Sequence, residues 1–149
     1  MTFAAMLEHM RSAFPSVSME NCRPTSPHDE DYNCIAWAAD DSSRWWWPDA
    51  NGQLYWPQSV PRRETLDAFI AAYAQLGYVD VSNDHVEPDR QKIAIFTLNG
   101  TPTHAARQLP DGWWASKLGP SIDIEHEFRA LDGPTYGTAT VVLARATIR

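Results

Sequence analysis

Two cysteines, Cys22 and Cys34, are all that the 149 residues contain. That is too few for a disulfide framework or a four-cysteine zinc site, and with no export signal both thiols are expected to be reduced. Basic residues are sparse as well: 12 Lys and Arg stand against 19 Asp and Glu, a formal charge of −7. That balance repels phosphate backbones, and the only adjacent basic pair, Arg62-Arg63, makes no patch, so no nucleic-acid partner is expected. No stretch approaches the ~20 apolar residues of a membrane span, so no membrane partner is expected either. Glu8, His9 and Arg11 interrupt the apolar N-terminus, which has no small-residue cleavage site; it does not read as a signal peptide, and a cytoplasmic location follows as an expectation. There is no GxGxxG, no P-loop and no GxSxG. His126-Glu127 starts like a zincin helix, but Ala130 stands where the second His belongs. Cys22, Cys34 and the histidines lack zinc-ligand spacing, so neither a metal nor another cofactor is expected.

What the chain does have is an ordinary globular balance, 44% apolar and 21% charged, with a length that suits one domain over residues 1–149. Seven Trp and eleven Pro are the unusual features. Phe3, Met6, Leu7, Met10 and Phe14 lie on one helical face within residues 2–14, stopped by Pro15. With the Pro- and Ser-rich stretch that follows, residues 1–30 read as a helix and an irregular lead-in. Asp31 or Asn33 can cap a short buried helix through Ile35–Ala39. Residues 44–57 are an aromatic, proline-rich loop. Leu66, Phe69, Ile70, Tyr73 and Leu76 mark a helix over 62–76, closed by Gly77. The period then changes: 92–98 and 103–109 are strands joined by Asn99-Gly100, and 113–119 follows across Pro110-Asp111-Gly112 as a third strand. Residues 122–131 look helical, and 139–146 read as a buried last strand. Helices first and antiparallel strands after indicate an α+β domain.

Cys34 opens the short helix, where the positive end of the macrodipole lowers a thiol pKa and favours the nucleophilic thiolate. Trp37 beside it can help exclude water. The bland alternative is a small buried hydrophobe, and Cys22 is taken as incidental. A nucleophilic cysteine needs a base. His9 and His85 read as solvated, whereas His104 opens the second meander strand and is followed by Ala105-Ala106, which leave room for a helix or a substrate. Ser116, on the next strand, can orient the imidazole, with Asp123 and His126 as further candidates. Trp45, Trp46 and Trp47 cannot all face one way. Some pack inside, and with Trp56 the cluster can wall a cleft beside Cys34 for a peptide, a sugar or an acyl group.

A Cys at the start of a helix, followed by a β-meander whose second strand begins with His, resembles the papain-like cysteine hydrolases, the NlpC type most closely. The resemblance implies a papain-like fold and a third polar residue twelve positions after the His, where Ser116 stands. The family's Asp-Cys becomes Asn33-Cys34 here, and its Ser-Gly becomes Ile35-Ala36. His28 stands where papain has an oxyanion glutamine, which implies a donor to the oxyanion. The segments DYNCIAWAADDSSRWWWP, THAARQLPDGWWASKLG and DIEH also resemble a family of uncharacterised bacterial proteins of about this length; that resemblance points to Asn33, Cys34, His104, Ser116, Lys117 and His126.

The expected function is therefore a cysteine hydrolase or acyltransferase of the amidase, peptidase or deamidase type. Cys34 is the nucleophile, His104 the base and Ser116 the orienting group. Asn33, His28, Trp37, Trp46, Lys117 and His126 are expected around a peptide, amide or acyl substrate. The rivals are a catalytically silent module that holds a peptide, glycan or protein partner in a Trp-rich groove, and a delivered effector or toxin with the same Cys-His chemistry.

Overall fold

A computed structural model of the chain describes residues 2–26, 31–81, 83–118 and 123–147. The elements run α1 (Phe3–Met10), β1 (Cys22–Ser26), α2 (Cys34–Ala38), α3 (Leu66–Ala74), β2 (Val79–Asp80), β3 (Arg90–Leu98), β4 (Thr101–Gln108), β5 (Trp114–Lys117), β6 (Asp123–His126) and β7 (Thr138–Ala146). The strands form one seven-stranded sheet in the order β1-β6-β5-β4-β3-β7-β2, every pair antiparallel. Among the described residues the helices are short, of 8, 5 and 9 residues.

This architecture overturns the expected papain-like α+β arrangement. The protein is β-dominated, and its helices are small covers on a broad sheet. Part of the difference lies in residues the periodicity assigns to a helix. Within 123–131, Ile124 and His126 are buried while Asp123 and Glu125 are less so, a period of two. That alternation suits a strand buried on one face, and β6 finds partners on both sides, β1 and β5. The lead-in also contributes a strand, β1. The helices expected over 2–14 and 62–76 contract to α1 and α3, each started by a threonine side chain that accepts a backbone N–H, Thr2 from Ala5 and Thr65 from Ala68.

The meander forms as its turn chemistry requires. Asn99 and Gly100 take φ of 53° and 82°, left-handed at both central positions of a two-residue hairpin. β3 lies at the heart of the sheet, paired along its length with β4 and β7. Alternation divides the sheet's side chains between two cores. Ile93, Ile95, Ala105 and Leu143 face α2, α3 and the aromatic loop, while Ala94, Phe96, Ala106 and Val142 face α1 and the 128–136 turn. Phe69 of α3, fully buried, meets the rings of Trp47 and Trp56 at 5.4 and 5.1 Å. Burying a side chain of that size contributes about 1.5–3 kcal/mol, which ties the aromatic loop to the helix. Lys92, also wholly buried, donates to Asn83 Oδ1 at 2.7 Å and to the His85 carbonyl at 2.6 Å, holding the loop before β3 against the sheet.

Candidate functional site

Cys34 is the first residue of α2 and is partly exposed. Asn33 sets its position. The Asn33 Oδ1 accepts from the N–H of Ala36 and of Trp46, both at 3.1 Å, and its Nδ2 donates to the Trp46 carbonyl at 2.8 Å. One amide thus caps the helix and clamps both backbone groups of the middle tryptophan of the loop. The clamp needs a donor as well as an acceptor, which explains an Asn rather than an Asp before the cysteine. With Trp46 fixed, its neighbours Trp45 and Trp47 turn toward Cys34. Together with Leu54, Thr103 and Tyr136 they line a cavity of about 360 Å³ with Asn33 and Cys34 in its wall.

The thiol is not the activated one that its place on the helix suggests. Burial pushes the Cys34 pKa up to about 11, against the lowering pull of the Ala105 and Ile35 N–H groups and the Lys117 charge. A helix of only five residues gathers too little aligned dipole to reverse this. The sulfur therefore rests as a thiol at neutral pH and needs a base.

On the sheet, three of the predicted residues meet. His104 Nε2 lies 2.9 Å from Ser116 Oγ, Ser116 Oγ lies 2.7 Å from His126 Nε2, and His126 Nδ1 lies 2.8 Å from the Glu127 carbonyl. A carbonyl only accepts, so His126 carries its proton on Nδ1. Burial lowers the His126 pKa to about 4, so its Nε2 is bare at neutral pH and takes the Ser116 proton. Ser116 Oγ then accepts from His104, which must be protonated on Nε2. Burial holds the His104 pKa well below its ordinary value, and the ring is neutral. Its Nδ1 is thus a bare lone pair, fully buried and, among the described residues, without a hydrogen-bond partner. The His104 ring stacks on Tyr136 at 4.1 Å and 4° and meets Phe96 at 5.2 Å. Tyr136 also lines the cavity of Cys34, and the Cys34 sulfur faces the N–H of Ala105, the residue after His104.

The two halves of the predicted site share Tyr136, which lines the Cys34 cavity and stacks on His104, and no hydrogen bond joins Cys34 to His104. Trp46 is buried, with its indole N–H on Asp41 Oδ2 at 2.8 Å, so it supports the cavity from behind rather than lining it. Trp37 lies under the Arg107 guanidinium, 4.7 Å from its ring, and is not among the cavity residues. Lys117 is buried with its Nζ 3.8 Å from Asp123 Oδ1 and 4.8 Å over the Tyr32 ring. His28 lies outside the described residues. Cys22 is buried on β1, its pKa pushed up to about 11. Tyr136 and Thr103 escaped sequence reasoning. Tyr136 belongs to the turn before β7 and is brought beside His104 only by tertiary folding, held there by Thr103 Oγ1 donating to the Tyr136 carbonyl at 2.6 Å. Ala105-Ala106 after a strand histidine left room for a helix or a substrate, and Ala105 shares a core with α2 while Ala106 belongs to the other core.

Two neutral buried imidazoles make the fold acid-sensitive. Both folded pKa values lie below the ~6.5 of a free histidine, so the unfolded chain binds more protons in the interval between. Stability is complete above about pH 6.5 and declines as the pH falls toward 4. His126 alone, moved from 6.5 to about 4, accounts for a loss of about 3 kcal/mol at the foot of that window. Urea unfolding between pH 7 and 4 is expected to show this decline, and His126→Gln is expected to flatten it. An equally steep decline in the variant would contradict the assignment.

No curated protein and no solved structure matches the chain, and nothing in the comparisons joins it to the papain-like hydrolases. One family model does match, a domain of unknown function (DUF7689), over residues 23–144. That span holds Cys34, the aromatic loop, His104, Ser116, His126 and Tyr136, so sheet and site lie together within the DUF7689 family, to which this chain belongs.

Proposed function

We propose that the protein is a cysteine-dependent acyl-transfer enzyme, an amide hydrolase or acyltransferase. The observation that carries this reading is the bare, buried His104 Nδ1, left unprotonated by a hydrogen-bond chain that fixes its tautomer, on a ring stacked against Tyr136, which lines the cavity that holds a free thiol. With the thiol pKa near 11 and the imidazole neutral, no thiolate–imidazolium pair forms at rest. Proton removal accompanies attack instead. The Cys34 S–H proton passes to His104 Nδ1 while sulfur bonds to the substrate carbonyl carbon. The tetrahedral adduct then collapses, and the leaving amine or thiol takes the proton back from His104. Water or an acceptor amine repeats the sequence on the thioester and frees Cys34. The Trp45, Trp47 and Leu54 walls suit an apolar acyl group or an aromatic side chain.

The test is intact-mass analysis of the protein incubated with activated acyl esters and thioesters. The expected result is one acyl adduct in the wild type, absent from Cys34→Ala and discharged by hydroxylamine. No Cys34-dependent adduct with any donor would overturn the proposal. The raised thiol pKa and the exposed Trp45 at the cavity mouth favour one alternative, a silent module that binds an aromatic or acyl ligand there. That alternative predicts ligand-dependent quenching of tryptophan fluorescence without an adduct.

A further inference from the structure

The chain from His104 does not end at the serine, and this sets where a proton taken at the site can come to rest. Resting on the acyl-transfer reading, we infer that His126 is a positioning residue and the proton store of the site, reached from His104 through the Ser116 hydroxyl. A proton arriving at His104 Nδ1 allows the Nε2 proton to move to Ser116 Oγ as the Ser116 proton moves to His126 Nε2. Two N–H bonds and one O–H bond form, and one S–H, one N–H and one O–H bond break, the sulfur keeping its electron pair. His104 ends neutral with its proton on Nδ1, Ser116 ends neutral with its hydroxyl reversed, and the positive charge resides on His126.

Several observations support this endpoint. The spacings of 2.9 and 2.7 Å permit transfer along the chain without movement of a ring. The His126 Nδ1–H already donates to the Glu127 carbonyl, a bond that strengthens when the ring is cationic. Among the described residues His104 has no such acceptor: its Nδ1 is buried without a hydrogen-bond partner, and its ring stacks on Tyr136 and meets Phe96 edge to face. The two sheet partners of His126 bring no charge against it, Trp114 being uncharged and Cys22 a neutral thiol. Trp114 on β5 and Cys22 on β1 sit directly opposite it in the sheet, and His104 is the other ionisable group along the chain. The Glu127 bond is also what raises the His126 pKa against burial, whereas burial and the His126 charge both lower that of His104.

The experiment is nitrogen-resolved NMR of the full chain labelled with 15N-histidine, followed from pH 7.5 to 5. At pH 7.5 the spectra are expected to show His104 protonated on Nε2 and His126 on Nδ1. As the first protonated fraction appears, His126 Nε2 is expected to gain proton character while His104 gains it on Nδ1 and loses it on Nε2. In Ser116→Ala the exchange between the two His104 nitrogens is expected to be lost while His126 still titrates. A His104 ring that keeps its Nε2 proton while gaining one on Nδ1 would overturn the inference, as would a resting Nδ1–H tautomer. The wild-type titration decides this even if the variant does not fold. The spectra do not depend on a reactive thiol. A working relay beside an inert Cys34 sinks only the acyl-transfer reading, and a reactive Cys34 beside a His104 that keeps the charge sinks only the relay.

Discussion

Replacing His104 by Gln is expected to slow alkylation of Cys34 by iodoacetamide at pH 7 by about 10²-fold, the lower end of what a positioned general base contributes. Gln is the informative substitution because its amide can still donate to Ser116 Oγ, now at 2.9 Å from the imidazole, while offering no base in place of Nδ1. The pH dependence carries the sign. With the Cys34 pKa at about 11, only a minute fraction is thiolate at pH 7, so under the proposed mechanism the wild-type rate there should depend on His104. As the pH rises toward the thiol pKa, hydroxide replaces the base, and the two rates should converge. Equal rates at pH 7, both following a simple titration toward 11, would mean that His104 does not serve Cys34. Cys22 is the internal control: it is buried, and its reaction should be the same in both proteins.

Asn33→Ala is expected to cost about 3–7 kcal/mol of stability and to disorganise the cavity at the same time. The helix cap accounts for about 1 kcal/mol. The remainder comes from the N–H and carbonyl of Trp46, which lose their partner in a buried setting at about 1–3 kcal/mol each. Because the same clamp aims Trp45 and Trp47, the tryptophan fluorescence and near-UV dichroism should change in protein that remains folded. Asn33→Asp sharpens the point. It retains the acceptor for Ala36 and Trp46 N–H but sets an oxygen against the Trp46 carbonyl, so it should recover the cap and not the clamp. Urea unfolding of the three proteins measures the cost, and a loss of under about 1 kcal/mol for Asn33→Ala would show that the cap alone matters.

Much of the local structure was legible because it is set by neighbouring residues. Asn99-Gly100 made a hairpin since both positions need left-handed backbone. Asn33 began a helix since its side chain satisfies an N–H of the first turn. The helix read over residues 122–131, the first of which lies outside the described residues, misled because a short stretch with isoleucine, leucine and charges satisfies a helical spacing as well as an alternating one. Only the availability of two strand partners settled it. The fold class failed for the same reason: the two short or irregular edges, β1 and β2, have no hydrophobic run of their own and become strands by pairing.

For the site, the residue types suited to the chemistry could be named from the chain: a cysteine opening a helix, a histidine among small strand residues and a serine one hairpin away. Tertiary structure decided their states. The thiol pKa rises because packing removes water that a five-residue helix cannot replace. The His104 tautomer depends on a carbonyl at Glu127, three hydrogen bonds away and far along the sequence. The ring that stacks on it comes from Tyr136, in a different turn. Side-chain chemistry and short-range backbone preference are properties of the chain itself; desolvation, protonation and the meeting of distant residues arise only when the sheet brings them together.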